Sequence, residues 1–324
     1  MRAKAGRIVA VGDLNGAYDA LEAILRGTRL VDARRRWIGG RSQLVQVGDI
    51  FNRGDGARDA FELLLRLKKE AAAEGGRVVI LLGNHEVMVA LRNEAYCTEE
   101  EYLSFATTRE RRSWPLRVRR ALRRILRDHA PRGPILPLGP RLDAWKVLNV
   151  PGRAGMRRAL GPHGRLGRVI RGLPVAYNAG GTVFVHAGLT PAWARRGVEG
   201  LNHAARQAWT AAGTFYAGHS RRGIFRHPTG PLWNRSLAEA SDARALTRSL
   251  ELLGARRMVV GHTQTAHLGG TPGRIMLRHG GRLVLVDVGL RGGDISKRAA
   301  LVIEGTSGWE WTEGGTRLLW REGS

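Results

Sequence analysis

Three short apolar runs in the first ninety residues end on the same punctuation. Arg7–Leu14 carries Gly12-Asp13, Gln43–Ile50 carries Gly48-Asp49, and Arg77–Leu82 runs into Gly83-Asn84. Between them Tyr18–Arg26 and Ala57–Ala73 place apolar residues at helical spacing, through Leu21, Ile24 and Leu25 and then Phe61, Leu64, Leu65 and Leu67. A β-α-β-α-β order of this kind predicts a parallel sheet with strands buried on both faces. Ligands of such sheets bind at the carboxyl ends of the strands, where the three Gly-Asp or Gly-Asn pairs fall.

The remainder reads differently. Thr98–Pro134 predicts a basic helical insertion, with nine arginines between Arg109 and Arg127 and with Val118, Leu122, Ile125 and Leu126 on one face. Pro131–Gly172, rich in Gly, Pro and Arg, predicts loop and a short helix. Strand character returns at Val175–Asn178, Thr182–His186 and Arg256–Val260, with a polar helix near Asn202–Ala212. Hairpin-like runs follow at Arg274–Arg278, Arg282–Val288 and Ala299–Ile303, the first two joined through Gly280-Gly281. The second half therefore predicts a mixed sheet packed on the first. No linker divides the 324 residues, so a single domain over 1–324 is expected.

Composition narrows the function classes. No apolar run is long enough to span a bilayer, and the first core strand starts too early for a secretory leader, which predicts a cytoplasmic protein. The single cysteine, Cys97, excludes a disulfide scaffold and a thiolate metal cluster. The net charge of +25 fits a nucleic acid or a phosphorylated partner, but 48 of the 53 basic side chains are arginine, beside 44 glycines. That pattern also fits a GC-rich genome, so charge alone does not identify nucleic acid as the partner.

The candidate chemistry lies at the run ends. Asp13, Asp49, Asn84, His186 and His262 each follow an apolar run, and His85 comes directly after Asn84. One Asp or Asn after a strand is usually a helix cap, and one His is usually a satisfied core or surface residue. Five positions with one strand–Gly–ligand grammar suit metal ligation better than capping. In order, Gly12-Asp13-Leu14-Asn15-Gly16, Gly48-Asp49-Ile50-Phe51-Asn52-Arg53-Gly54, Gly83-Asn84-His85-Glu86, Val185-His186-Ala187-Gly188 and Gly261-His262-Thr263 resemble the signature of calcineurin-like metallophosphoesterases, in the phosphoprotein-phosphatase branch. Leu82–Glu86 and Pro231-Leu232-Trp233-Asn234-Arg235 are similar to its bacterial Shewanella-like subgroup.

The resemblance implies an α/β fold, an α/β/β/α sandwich of two mixed sheets flanked by helices. It also implies metal-dependent hydrolysis of phosphomonoesters, protein or small-molecule, by a hydroxide bridging two divalent metals. Asp13 would bind metal one, Asp49 both metals, and Asn84, His186 and His262 metal two. Arg53, and more loosely Arg235, would hold the phosphate, since guanidinium matches its oxygens bidentately. His85 would protonate the leaving oxygen.

Two positions depart from the pattern: Asn15 stands where the family has His, and Asn52 where it has Asp. Metal one would then rely on Asp13, Asp49 and the amide oxygen of Asn15 or Gln264. Such an oxygen-rich site favours manganese, with iron, zinc or magnesium as alternatives. Asn52 could orient His85 but lend it no charge. Two other readings stay open: a dinucleoside-polyphosphate or nucleotide phosphohydrolase, and a catalytically impaired phosphate-binding protein.

Overall fold

The computed structural model describes residues 6–127, 138–210, 223–291 and 293–322. Strands β1 (Ile8–Val11), β2 (Gln43–Gln46) and β3 (Arg77–Ile80) pair in parallel, with helices α1 (Tyr18–Gly27) and α2 (Ala57–Ala73) as crossovers. Helix α3 (Asn84–Ala90) follows β3 and is buried along its whole length. Helices α4 (Glu99–Ser104) and α5 (Thr108–Arg127) form the described part of the basic insertion; residues 128–134 of the expected span lie outside the described residues.

Where loop and one short helix were expected, the structure has α6 (Leu138–Asn149), α7 (Arg153–Leu160) and α8 (Arg165–Arg171). Pro151-Gly152 and Gly161–Gly164 form the joints, while Gly139 and Pro140 stand in the first turn of α6 and Gly155 and Gly167 within α7 and α8, where the helices tolerate them. Trp114 of α5 stacks on Trp145 of α6 at 5.6 Å, and among the described residues only Ala121 of α5 is fully buried.

The second sheet holds β4 (Ala176–Ala179), β5 (Thr182–Val185), β6 (Arg257–Val260), β7 (Met276–Arg278) and β8 (Leu283–Leu285) in the order β4-β5-β6-β8-β7. Its centre is parallel and both edges are antiparallel. Helices α9 (Pro191–Ala194), α10 (Gly197–Ala208), α11 (Ser236–Glu239) and α12 (Arg244–Leu252) lie between its strands in sequence. The expected run at Ala299–Ile303 does not join this sheet. It is β9 (Ala299–Glu304), antiparallel to β1, and β10 (Ser307–Thr312) and β11 (Gly315–Arg321) extend the first sheet beyond it, giving β11-β10-β9-β1-β2-β3. The fold is thus mixed α/β, two mixed sheets with helices around them. The carboxyl ends of β1–β3 meet those of β5 and β6, because the buried apolar faces of both sheets share one core. Among the described residues no helix is long and apolar enough to cross a membrane.

Candidate active site

Two glycines show how tightly the strand ends approach. A Cβ on Gly83 would stand 2.3 Å from Asp49 Oδ1, and one on Gly261 would stand 2.2 Å from Asp13 Oδ1. The carboxylates occupy the room that those side chains would take. Asn15, Asp49, Asn52, Arg53 and His262 all have left-handed φ, between 46° and 70°. Asn and Asp tolerate that region, but Arg and His adopt it at a cost of about 1–3 kcal/mol. Strain of this kind persists where surrounding contacts over-determine the backbone, and here they do.

Glu86, on the first turn of α3, supplies many of those contacts. Its carboxylate accepts the backbone N–H of Gly83 (2.8 Å), Asp49 (2.8 Å), Ile50 (2.7 Å) and Phe51 (3.3 Å). Burial, and then the Asp49 charge, push its pKa up to about 6. Asp49 in turn accepts the His85 N–H at 2.9 Å, and Asp13 accepts the His262 N–H at 3.0 Å.

Ligand atoms of Asp49, His186 and His262 lie within 4.8 Å of one another, all three buried. His186 donates Nδ1–H to the Val47 carbonyl at 2.9 Å, which turns Nε2 toward Asp49 Oδ1 (3.3 Å) and Asn84 Oδ1 (2.9 Å). A backbone carbonyl behind one ring nitrogen is a common way to present the other to a metal. His262 Nε2 is buried without a hydrogen-bond partner, and burial together with His186 holds its ring well below the usual histidine range. A bare, neutral imidazole nitrogen beside a buried carboxylate is a donor lacking only its cation. Burial opposes charge on His186, yet Asp49, Asp13 and Glu86 outweigh it and raise its pKa to about 10. Burial raises the Asp49 carboxyl too, but His186 and His85 outweigh it and hold it well below the usual range. Buried carboxylate and imidazole donors this close together, one nitrogen without a partner, fit a divalent metal.

The other expected residues converge on the same point. His85 Nδ1 stands 2.7 Å from Asn52 Oδ1, and its Nε2 lies 3.7 Å from Asp49 Oδ2. Burial, the largest influence on the ring, lowers its pKa against the pull of Asp49. Arg235 donates to the His262 carbonyl at 3.0 Å. Asn15, expected to offer its amide oxygen to a metal, gives that oxygen to the Arg53 guanidinium (2.8 Å) and donates Nδ2–H to the Asp49 carbonyl (3.1 Å). Gln264 is half-buried and His267, five residues after His262, is exposed.

Four residues near the centre were not foreseen. Asp287, buried on the loop after β8, has its pKa raised to about 6 by burial, and its charge raises Asp13 further. Tyr96 tilts against the His85 ring (5.2 Å) and lies under the Arg53 guanidinium (5.1 Å), while 47% exposed. Glu86 and Glu101 are wholly buried. The Gly83-Asn84-His85-Glu86 motif contained the signal for Glu86; the other three stand in stretches with no distinguishing pattern. A cleft of about 520 Å³ opens from Asn15 and Arg53 past Tyr18 and Asp55 to Arg291 and Arg298.

Residues 6–266 match the family model for calcineurin-like phosphoesterases. The chain belongs to the calcineurin-like phosphoesterase family. It is a hydrolase acting on phosphoric ester bonds. Shewanella-like protein phosphatase 2 of Arabidopsis thaliana is 28% identical over 273 residues, 82% of this chain and 68% of that one. Shewanella-like protein phosphatase 1 of Plasmodium berghei is 41% identical over 81 residues, 25% of this chain and 22% of the relative. The cold-active protein-tyrosine phosphatase of a psychrophilic Shewanella species shares the fold, with TM-score 0.71 at 20% identity, over 97% of this chain and 80% of that structure.

Proposed function

We propose that this calcineurin-like phosphoesterase is a manganese-dependent phosphatase of phosphomonoesters, with aryl phosphates such as phosphotyrosine preferred over alkyl phosphates. The observation that carries this reading is the orphaned His262 Nε2 beside Asp49 and His186, with His85 Nε2 3.7 Å from Asp49 Oδ2. Asp13, Asp49, Asn84, His186 and His262 are the residues we assign to two divalent cations, which when bound would supply Lewis-acid charge to the phosphoryl group. The mixture of carboxylate, amide and imidazole donors favours manganese among the candidates.

Arg53, tied to Asn15 at the mouth of the cleft, grips the phosphate oxygens. His85 Nε2 faces the site and protonates the departing oxygen. Its partner at Nδ1 is the neutral amide of Asn52, which favours the imidazolium less than a carboxylate would. A phenolate, whose parent pKa is about 10, needs little help in leaving, whereas an alkoxide needs a proton in the transition state. The exposed ring of Tyr96 beside Arg53 and His85 gives an aryl group a surface to lie against.

The test is turnover with added manganese on four substrates: an aryl phosphate, a phosphotyrosine peptide, a phosphoserine peptide and a diadenosine polyphosphate. The two aryl esters should turn over fastest. Phosphoserine turning over as fast as phosphotyrosine removes the aryl preference, and absence of turnover on all four removes the phosphatase reading.

A further inference from the structure

Behind the amide of Asn52 stands a second carboxylate. Glu101, on α4, is fully buried although it comes from the first turn of a helix in the basic insertion. Its Oε1 accepts the backbone N–H of Asn52 at 2.8 Å, and its Oε2 accepts Asn52 Nδ2–H at 3.3 Å. Cys97 Sγ accepts from the same Nδ2 at 3.1 Å. The other end of that amide, Oδ1, meets His85 Nδ1 at 2.7 Å.

Burial raises the Glu101 carboxyl to about 7 against the hydrogen bonds from Asn52. Once ionised it only accepts hydrogen bonds, and both oxygens already accept from Asn52, so it determines which end of Asn52 faces it. The amide nitrogen must turn to Glu101, and the amide oxygen must then turn to His85. An oxygen at 2.7 Å requires a proton on Nδ1. The ring can then carry a second proton on Nε2 and give it away, leaving a neutral imidazole. Were Asn52 reversed, its N–H would face Nδ1, which would have to be bare. The ring would then hold its single proton on Nε2, and donating that proton would leave an imidazolate, a far poorer outcome. Proton donation from His85 therefore depends on which way round a neutral amide is held.

We propose that Glu101 is a positioning residue for this reaction: it fixes Asn52 end for end and, through Asn52, fixes the proton on His85 Nδ1. The proposal rests on the phosphatase reading for its consequence in turnover, but not for its hydrogen-bond logic. It gives the basic insertion a part in the chemistry, since α4 supplies the group that sets the polarity of the Asn52–His85 pair.

The experiment exchanges the two groups in magnesium-loaded protein, so that metal paramagnetism does not interfere. Glu101→Gln sets an amide nitrogen against Asn52 Nδ2. Asn52→Asp combined with Glu101→Gln moves the carboxylate next to His85 and puts the amide behind it, with every donor again facing an acceptor. Imidazole nitrogen-15 spectra report the Nδ1 proton of His85, and kcat and KM are taken on an alkyl and an aryl phosphate. Glu101→Gln is expected to remove the Nδ1–H signature and to lower kcat on the alkyl ester by about tenfold or more. The aryl ester should lose less, and KM should change little. The double exchange is expected to restore both the signature and alkyl turnover.

The proposal is overturned if Glu101→Gln leaves His85 Nδ1 protonated as in the parent, or if alkyl and aryl turnover fall equally. It is also overturned if the exchanged variant melts like the parent yet stays as impaired as Glu101→Gln. Should Glu101→Gln not fold, the parent spectrum decides: a His85 Nδ1 without its proton there overturns the proposal. If the parent hydrolyses no ester, the phosphatase reading fails, while the nitrogen-15 arm still tests the placement of Asn52.

Discussion

Asn15 has both ends of its amide engaged. Its oxygen is taken by Arg53 and its nitrogen by the Asp49 carbonyl, so it joins the phosphate clamp to the loop that carries the central carboxylate. Asn15→Ala should therefore behave like a weakened Arg53→Ala. KM for an aryl phosphate should rise severalfold, and kcat/KM should fall by about ten- to a hundredfold, for a loss on the order of 1.4–3 kcal/mol. Bound metal, measured by elemental analysis, should stay at the parent level. Loss of one metal equivalent with KM unchanged would make Asn15 a ligand after all. The sequence placed Asn15 beside Asp13 but could not show this division of labour, because the partner Arg53 comes from a different loop, 38 residues on.

Elements differ in how plainly the chain announces them. Strands β1 to β3 were legible because strands buried on both faces have apolar centres, and the glycines that follow them fall where carboxylates need the space. Strands β10 and β11 were not: Ser-Gly-Trp-Glu-Trp-Thr buries only Gly308 and Glu310, and β11 is an exposed edge. The helices of residues 138–171 were hidden by Gly and Pro that stand both in their joints and within the helices themselves. Helix α3 was legible as a motif but not as a brace. Its Glu86 holds four backbone N–H groups, one from the turn after β3 and three from the loop after β2, all buried. Glu86→Ala leaves those donors without an acceptor, which should cost on the order of 4 kcal/mol or more, because each orphaned group costs about 1–3 kcal/mol and water will reach some of them. Asp49 is placed by one of these contacts and its neighbour Ile50 by another, so metal content and turnover should fall together with the urea midpoint. A Glu86→Ala protein with full metal content and parent stability would show that the loop holds its left-handed residues without the brace.

At the scale of the whole molecule, the three strands of residues 299–321 bind the two sheets together. They enlarge the first sheet on the side of β1 away from the site, and Trp311 of β10 packs so closely on α1 that a Cβ at Gly27 would stand 1.9 Å from its ring. Glu310 is the one side chain of β10 that is both charged and fully buried. It accepts the Ile275 N–H at 2.6 Å, the Arg274 guanidinium at 3.0 Å and the Arg317 Nε–H at 2.9 Å. Arg317 belongs to the same sheet as Glu310, whereas Arg274 and Ile275 lead into β7 of the other sheet, so one carboxylate joins the two layers. Both arginines are about half exposed, at 46% and 54%, and would return to water if the carboxylate were removed. The Ile275 N–H would remain buried without a partner. Glu310→Ala should therefore destabilise the fold by about 2–3 kcal/mol, most of it from that orphaned donor and less from the ion pairs. No hydrogen bond of Glu310 reaches a residue of the candidate site, so KM and kcat below the melting transition should match the parent. Denaturation followed by tryptophan fluorescence, together with initial rates at a temperature well below the transition, separates the two effects. A fall in kcat at unchanged stability would mean that the junction of the sheets sets the geometry of the strand ends, and that Glu310 acts on the chemistry from a distance.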